Sequence, residues 1–234
     1  EHGWRSLCRT KYMTRLTMFD CDGTLVDSQY VIIDSMQAAF RARGVPPPAP
    51  DAVKRIVGLS LPQAIGQLHG EADAATIESL VAAYKECFLE LRASPDLHEP
   101  LFADVVETLT LLEETGYVLG IATGKSQRGL SAILETHGLA KYFVTLQTAD
   151  DAPSKPHPGM LERAMTETGM EKDETVLVGD TVFDMEMALN AGVGAFGVAW
   201  GYHDVAELKA AGAHLVLDQL CDLPLVLEQR WGGA

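Results

Sequence analysis

Two aspartates, Asp20 and Asp22, follow the apolar run Leu16–Phe19 with one residue between them, and Gly23 and Thr24 come next. Carboxylates in that place suit two chemistries. They can hold a hard divalent cation such as Mg2+, which takes oxygen ligands. Alternatively, one attacks as a nucleophile while its neighbour moves a proton. Residues two apart in an extended backbone face the same side, so Asp20 and Asp22 converge beyond the strand end and Cys21 turns away into packing. Gly23 permits a tight turn that can aim backbone N–H groups at a bound anion. An acidic turn after a strand would use the same residue types, since Asp and Gly are ordinary turn formers. The chemistry therefore depends on partners elsewhere in the chain.

The elements that must position those partners can be read from periodicity. From Ser28 the pattern is helical, with Ile32, Met36, Ala39 and Phe40 on one face, until Gly44 and the prolines at 46–48 stop it. Residues 51–69 read as short helices broken at Gly58 and Pro62, and residues 73–93 as a longer helix carrying Ile77, Leu80, Tyr84 and Phe88. Nothing between 30 and 98 reads as a strand. Beyond it, helices are expected over 101–115, 126–137, 157–168, 182–191 and 204–211, with a last one at the C-terminus. Apolar strands are expected between them over 117–122, 142–146, 175–178, 195–198 and 214–217. This alternation predicts an α/β fold, a doubly wound parallel sheet covered on both faces, with an all-helical segment inserted after the first strand. Ligands of such sheets bind beyond the carboxyl ends of the strands, where the candidate residues fall.

The stretch Asp20-Cys21-Asp22-Gly23-Thr24-Leu25-Val26-Asp27-Ser28 resembles the first motif of the haloacid dehalogenase-like (HAD) hydrolases, in particular their phosphatase branch. Three further stretches resemble the remaining motifs in order: Ile121-Ala122-Thr123-Gly124-Lys125, Ser154-Lys155-Pro156-His157-Pro158, and Val178-Gly179-Asp180-Thr181-Val182-Phe183-Asp184. Each alone is weak, since a Thr-Gly, a Lys-Pro or a Gly-Asp after a strand is ordinarily a helix start, a turn or an N-cap. The resemblance covers the chain from Met13 onward. It implies a HAD-like Rossmannoid core at 14–29 and 99–234 and a helical (C1-type) cap at 30–98. By the same resemblance Asp20 is the nucleophile, and Asp22 gives a proton to the leaving alkoxide and later takes one from water. Thr123 and Gly124, with Gly23, would bind the phosphoryl oxygens, and Lys155 would pair with the nucleophile and the phosphoryl group. Mg2+ would be held by Asp20, Asp180 and the backbone carbonyl of Asp22, with Asp184 as an indirect partner. An Asp at position 22 points to phosphate-ester hydrolysis rather than dehalogenation or phosphonate cleavage.

Other residues receive weaker readings. Lys125 reads as a surface lysine that could reach a substrate, and His157 as a turn histidine beside Lys155. His69, His98, His137, His203, His214 and Cys221 read as structural, and Trp200-Gly201-Tyr202, similar to a stretch of phosphoglycolate phosphatase-like members, as loop shape. Val57-Gly58-Leu59-Ser60-Leu61 is where this cap type meets substrate. Lys54 and Arg55 just before it are the cations expected to select a second anionic group, unless they form a solvated face.

Composition sets the outer limits. The chain has 234 residues, 47% of them hydrophobic, which suffices for a large core. A formal charge of −15 argues against nucleic acid and anionic membrane as partners. No run approaches the roughly 20 apolar residues that span a bilayer. The four cysteines, Cys8, Cys21, Cys87 and Cys221, show no CxxC spacing and read as reduced thiols of a cytoplasmic protein. Residues 1–13 lack apolar periodicity and read as a disordered or added extension, with Met13 as a plausible start. The expectation is a Mg2+-dependent phosphatase acting on a small phosphate monoester, such as 2-phosphoglycolate or a sugar phosphate. A sugar-phosphate mutase of β-phosphoglucomutase type shares all four motifs. A receiver-type signalling domain is about half this length, and a non-catalytic binding protein on a phosphatase scaffold would have no need of the intact motifs.

Overall fold

The computed structural model describes residues 14–94 and 98–231. The expected extension at 1–13, with Cys8, lies outside them. The first strand, β1 (Leu16–Phe19), is buried on both faces, which is why it is apolar at every position but Thr17. Four helices follow: α1 (Gln29–Ala42), α2 (Pro50–Lys54), α3 (Leu61–His69) and α4 (Ala74–Arg92). The chain then alternates through α5 (Val105–Glu114), β2 (Val118–Thr123), α6 (Gln127–Thr136), β3 (Phe143–Thr148) and α7 (Gly159–Thr168). It ends with β4 (Thr175–Gly179), α8 (Val182–Ala191), β5 (Gly194–Val198), α9 (Val205–Ala210), β6 (Leu215–Leu217) and α10 (Leu223–Trp231).

All six strands are parallel, in the order β3-β2-β1-β4-β5-β6. Helices cover both faces, and alternate residues of β1 enter different cores. Met18 packs with Met160, Leu177 and Met185 on one side, and Phe19 with Leu109, Ile133 and Val178 on the other. The doubly wound parallel sheet expected from the alternation is therefore present. The helical block α1–α4 is built around its own cluster, centred on Met36, Phe40, Ile65 and Leu80. Its two connections to the sheet run side by side: the Asp27 N–H donates to the Pro100 carbonyl at 2.8 Å, and the Phe102 N–H to that of Leu25 at 3.0 Å.

Several expected boundaries move. Pro62 does not break a helix. It sits in the first turn of α3, where its missing N–H costs nothing, and the break lies between Lys54 and Leu61, with Gly58 at positive φ inside it. Ala140–Tyr142 form a 3-10 turn ahead of β3, so that strand begins at Phe143 and runs on to Thr148. His157 and Pro158 precede α7, which starts at Gly159. Of the cysteines, Cys21 is buried, Cys87 partly buried and Cys221 exposed, and all three are free thiols.

Candidate active site

The sheet order brings the functional segments together. β1 lies between β2 and β4, with Phe19 level with Ile121 on one side and Val178 on the other. Asp20, Thr123 and Asp180 therefore leave adjacent strand ends. The Asp20 N–H still donates to the Val178 carbonyl at 2.9 Å, holding the start of the loop to the sheet.

Asp20 is buried, and Lys155, also buried, places its Nζ 2.8 Å from Asp20 Oδ1 and 2.6 Å from Asp184 Oδ1. Neither oxygen of Asp20 accepts a hydrogen bond of ordinary geometry. Burial pushes the Asp20 pKa up to about 7, Lys155 opposing the rise while Asp184 and Asp22 add to it. For Lys155, burial works against its charge, but Asp184 and Asp20 outweigh it and raise the pKa.

Asp180 is held from two directions. Thr24 Oγ1 donates to its Oδ1 at 3.0 Å and the Tyr202 N–H to its Oδ2 at 2.9 Å. Burial, then Asp20 and Asp184, push its pKa well above the usual carboxylate range. Gly23 is required here twice: its φ of +86° is a left-handed conformation, and a methyl group on it would overlap the Asp180 carboxylate. Gly201 is packed against Asp180 in the same way.

Asp184 opens α8 in a reciprocal cap. Its Oδ2 accepts from the Thr181 N–H at 3.1 Å and the Thr181 hydroxyl at 2.7 Å, and its own N–H faces Thr181 Oγ1. That cap aims Oδ1 at Lys155. Asp20, Asp180 and Asp184 each bring a carboxylate oxygen within 4.8 Å of the other two. Of these three buried carboxylates Lys155 contacts Asp20 and Asp184, and Asp20 Oδ2 accepts no hydrogen bond from the chain. The all-oxygen donor set suits a hard cation, so these residues fit a Mg2+ site. Asp184 stands in this cluster with both oxygens engaged, Oδ1 by Lys155 and Oδ2 by Thr181.

Asp22 faces a different group. Ser28 Oγ donates to its Oδ1, and Lys125 Nζ stands 2.7 Å from the same oxygen. Lys125 is not on the surface as its type suggested. Its side chain is 9% exposed and its ammonium lies 5.8 Å from the Phe88 ring centroid of α4. No local pattern announced this pairing, because 103 residues separate the two partners. Thr123 is buried, and its hydroxyl accepts from the Lys125 N–H at 3.2 Å, which leaves its proton free to donate. Gly124 lies against the carbonyls of Gly58 and Leu59 with no room for a side chain, and the Ser60 N–H donates to Ser154 Oγ at 2.7 Å. The loop 57–61 thus sits directly over the strand ends.

The remaining candidates fall outside the site. His157 Nδ1 accepts from the Gly159 N–H at 3.0 Å, a turn contact. Arg55 makes a two-pronged pair with Glu207 of α9 at 2.6 and 2.5 Å, and Lys54 lies 3.9 Å from Asp51. Neither lines the cleft above Asp22. His203 joins the two halves of the molecule: its Nδ1 accepts from the Val182 N–H at 3.1 Å while Nε2 lies 3.2 Å from the Arg55 carbonyl. Trp200 Nε1 donates to the Thr24 carbonyl at 3.1 Å, so the Trp-Gly-Tyr stretch braces Thr24 and Asp180 directly.

A sequence profile described as haloacid dehalogenase-like hydrolase matches residues 17–198. The chain belongs to this family. Among its relatives, the probable phosphatase IndB of Dickeya dadantii is 37% identical over 90% of this chain and 92% of its own. A phosphoglycolate phosphatase of Vibrio parahaemolyticus is 32% identical over 92% of this chain and 96% of its own. The crystal structure of a hydrolase from Pseudomonas syringae superposes with a TM-score of 0.82 at 26% identity, covering 92% of this chain and 98% of that one. As a haloacid dehalogenase-like hydrolase, the chain carries its acidic and basic groups at the ends of β1, β2 and β4, on the side of the sheet that loop 57–61 covers.

Proposed function

We propose that this hydrolase is a Mg2+-dependent phosphatase that cleaves a small phosphate monoester through an aspartyl-phosphate on Asp20, with residues 30–98 as its cap. The observation that carries the reading is the state of Asp20. It is buried beside two further carboxylates, with a buried lysine 2.8 Å from Oδ1 and no group of the chain hydrogen-bonded to Oδ2.

In the first step an Asp20 oxygen attacks phosphorus, the phosphorus–oxygen bond to the alcohol breaks, and Asp22 gives its proton to the departing alkoxide. In the second, Asp22 takes a proton from water as that water attacks phosphorus, releasing phosphate and restoring Asp20. Both contacts from Ser28 and Lys125 fall on Asp22 Oδ1, which leaves Oδ2 to hold and move the proton. The Thr123 hydroxyl, the backbone of Gly23 and Gly124, and the Lys155 ammonium meet the phosphoryl oxygens, whose charge is the main thing such a site must stabilise. Asp20, Asp180 and the carbonyl of Asp22, with Asp184 alongside, would hold Mg2+, which when bound would add to the positive charge of Lys155 at the phosphoryl oxygens. Loop 57–61 over Gly124 keeps bulk water from the phosphoryl group.

The test is phosphate release from a panel of esters, including 2-phosphoglycolate and glucose 6-phosphate, with Mg2+, with EDTA and in Asp20→Asn. Release that is lost in both controls is the expected result. Transfer between glucose 1- and 6-phosphates under a bisphosphate primer, with no release, would replace the phosphatase by a mutase. Activity retained in Asp20→Asn would remove the covalent mechanism.

A further inference from the structure

The cleft beyond Asp22 is much larger than a two-carbon leaving group needs. It encloses about 880 Å³, near the top of the roughly 300–1,000 Å³ span of small-molecule sites. One end is formed by Asp22, Gly124 and Lys125, the groups at which the alcohol oxygen departs. From there the cleft runs between α4 and α6. Its wall on the helical block includes Ile32, Met36, Val81, Tyr84 and Phe88 beside Lys85 and Arg92, and Gly129 and Ala132 stand opposite beside Arg128 and Glu135.

Three observations concern what fills this space. Tyr84 and Phe88, one turn apart on α4, are stacked with ring centroids 5.8 Å apart and planes at 20°, presenting a flat apolar surface to the cleft. That surface begins at the chemistry, because the ammonium that touches Asp22 at 2.7 Å is the one 5.8 Å from the Phe88 centroid. The two cations over Phe88 are already engaged: Lys125 with Asp22, and Arg92 with Glu99 at 3.8 Å. Lys85 and Arg128 line the cleft as well, together with the opposite charges of Glu135 and Asp150.

An unfilled apolar cleft has a cost. Each square ångström of apolar wall kept wet forgoes about 25 cal/mol, and water pooled beside Asp22 competes with the alcohol for its proton. A glycolate-sized group would leave most of the wall wet.

We infer that the substrate is a phosphate monoester whose alcohol carries an apolar body, an aromatic ring or a chain of several carbons, lying against Phe88 and Tyr84. This rests on the phosphatase reading above and sets the substrate class within it.

The experiment measures kcat/KM of the full chain with Mg2+ for ethyl, hexyl and 2-phenylethyl phosphates, whose leaving groups differ little in basicity, and for 2-phosphoglycolate. Each methylene buried is worth about fourfold. The expected result is a rise of at least about tenfold from ethyl to 2-phenylethyl phosphate, with 2-phosphoglycolate below both larger esters. Phe88→Ala should remove most of that rise. Ala132→Trp, which fills the opposite wall, should lower 2-phenylethyl phosphate hydrolysis about tenfold more than ethyl phosphate hydrolysis. The wild-type series needs no variant to fold. Rates independent of leaving-group size, or 2-phosphoglycolate as the best of the four, would overturn the inference and leave the phosphatase intact. Release from none of the four would overturn the inference, and the phosphatase reading falls with it only if the wider panel, glucose 6-phosphate included, also releases nothing.

Discussion

At the scale of single residues, Gly23 and Lys155 carry the most. Gly23 combines a φ of +86° with contact against Asp180, so neither conformation nor space admits a side chain. Gly23→Ala should displace the Asp180 carboxylate, and isothermal titration should show weakened Mg2+ binding along with lost phosphate release. Lys155 stands between Asp20 and Asp184, both buried. Lys155→Met would leave two buried carboxylates facing each other without a cation. Removing one partner of a buried ion pair typically costs about 3–5 kcal/mol, and urea denaturation of the metal-free variant should show a loss of that order. Lys125 is the residue whose character the sequence concealed. A lysine after Thr-Gly looks like a surface group, and only its approach to Asp22 shows otherwise. Lys125→Met should lower kcat more than it raises KM in steady-state kinetics, because the contact it removes is to Asp22, the carboxylate proposed to move the proton.

At the scale of elements, what matters is how the helical block meets the sheet. The Arg55 and Glu207 pair and the His203 bridge, both at Arg55, and the Ser60 to Ser154 hydrogen bond join α2, α3 and their loops to the core at two places. Arg55 was a candidate for reading a second anionic group, but its guanidinium is spent on α9 outside the cleft. Arg55→Ala should therefore leave the order of preference among esters unchanged in a kcat/KM panel, with only a small shift in Tm, as partly exposed ion pairs contribute little. The helix starts show how much of an element is local. Thr181 and Asp184 form a cap that is legible as residues three apart, and α8 begins where the pattern places it. Pro62 misleads because a proline marks either a break or a first turn, and only the backbone before it decides which.

At the scale of the whole molecule, a chain of formal charge −15 buries Asp20, Asp180 and Asp184 beside one lysine. Asp20 has its pKa raised from 3.8 to about 7 by burial, so the folded chain holds a proton that the unfolded chain has released. That part of the stability is complete below pH 3.8 and is lost as the pH rises towards about 7. Bound Mg2+ acts in the opposite sense, since it needs the ionised carboxylates. Thermal melts at pH 5 and pH 8, with Mg2+ or with EDTA, should show a larger Mg2+-dependent rise in Tm at pH 8. Equal rises at both values would mean that the cluster does not hold the ion. None of the described helices is long and apolar enough to cross a membrane.

The parallel sheet, the helical insertion and the four ordered motifs were legible in the sequence because each rests on neighbours within a few residues. Alternation, capping and apolar runs are short-range patterns, and they place Asp20, Thr123 and Asp180 at strand ends without saying which ends are adjacent. Adjacency was decided by the order β2-β1-β4, which joins Thr24 to Asp180 across 156 residues and Lys125 to Asp22 across 103. The size and apolar lining of the cleft, and the commitment of Arg55 to Glu207, were likewise tertiary outcomes. They depend on how α4 and α6 face each other across the site, and packing between distant segments leaves no periodic trace in either of them.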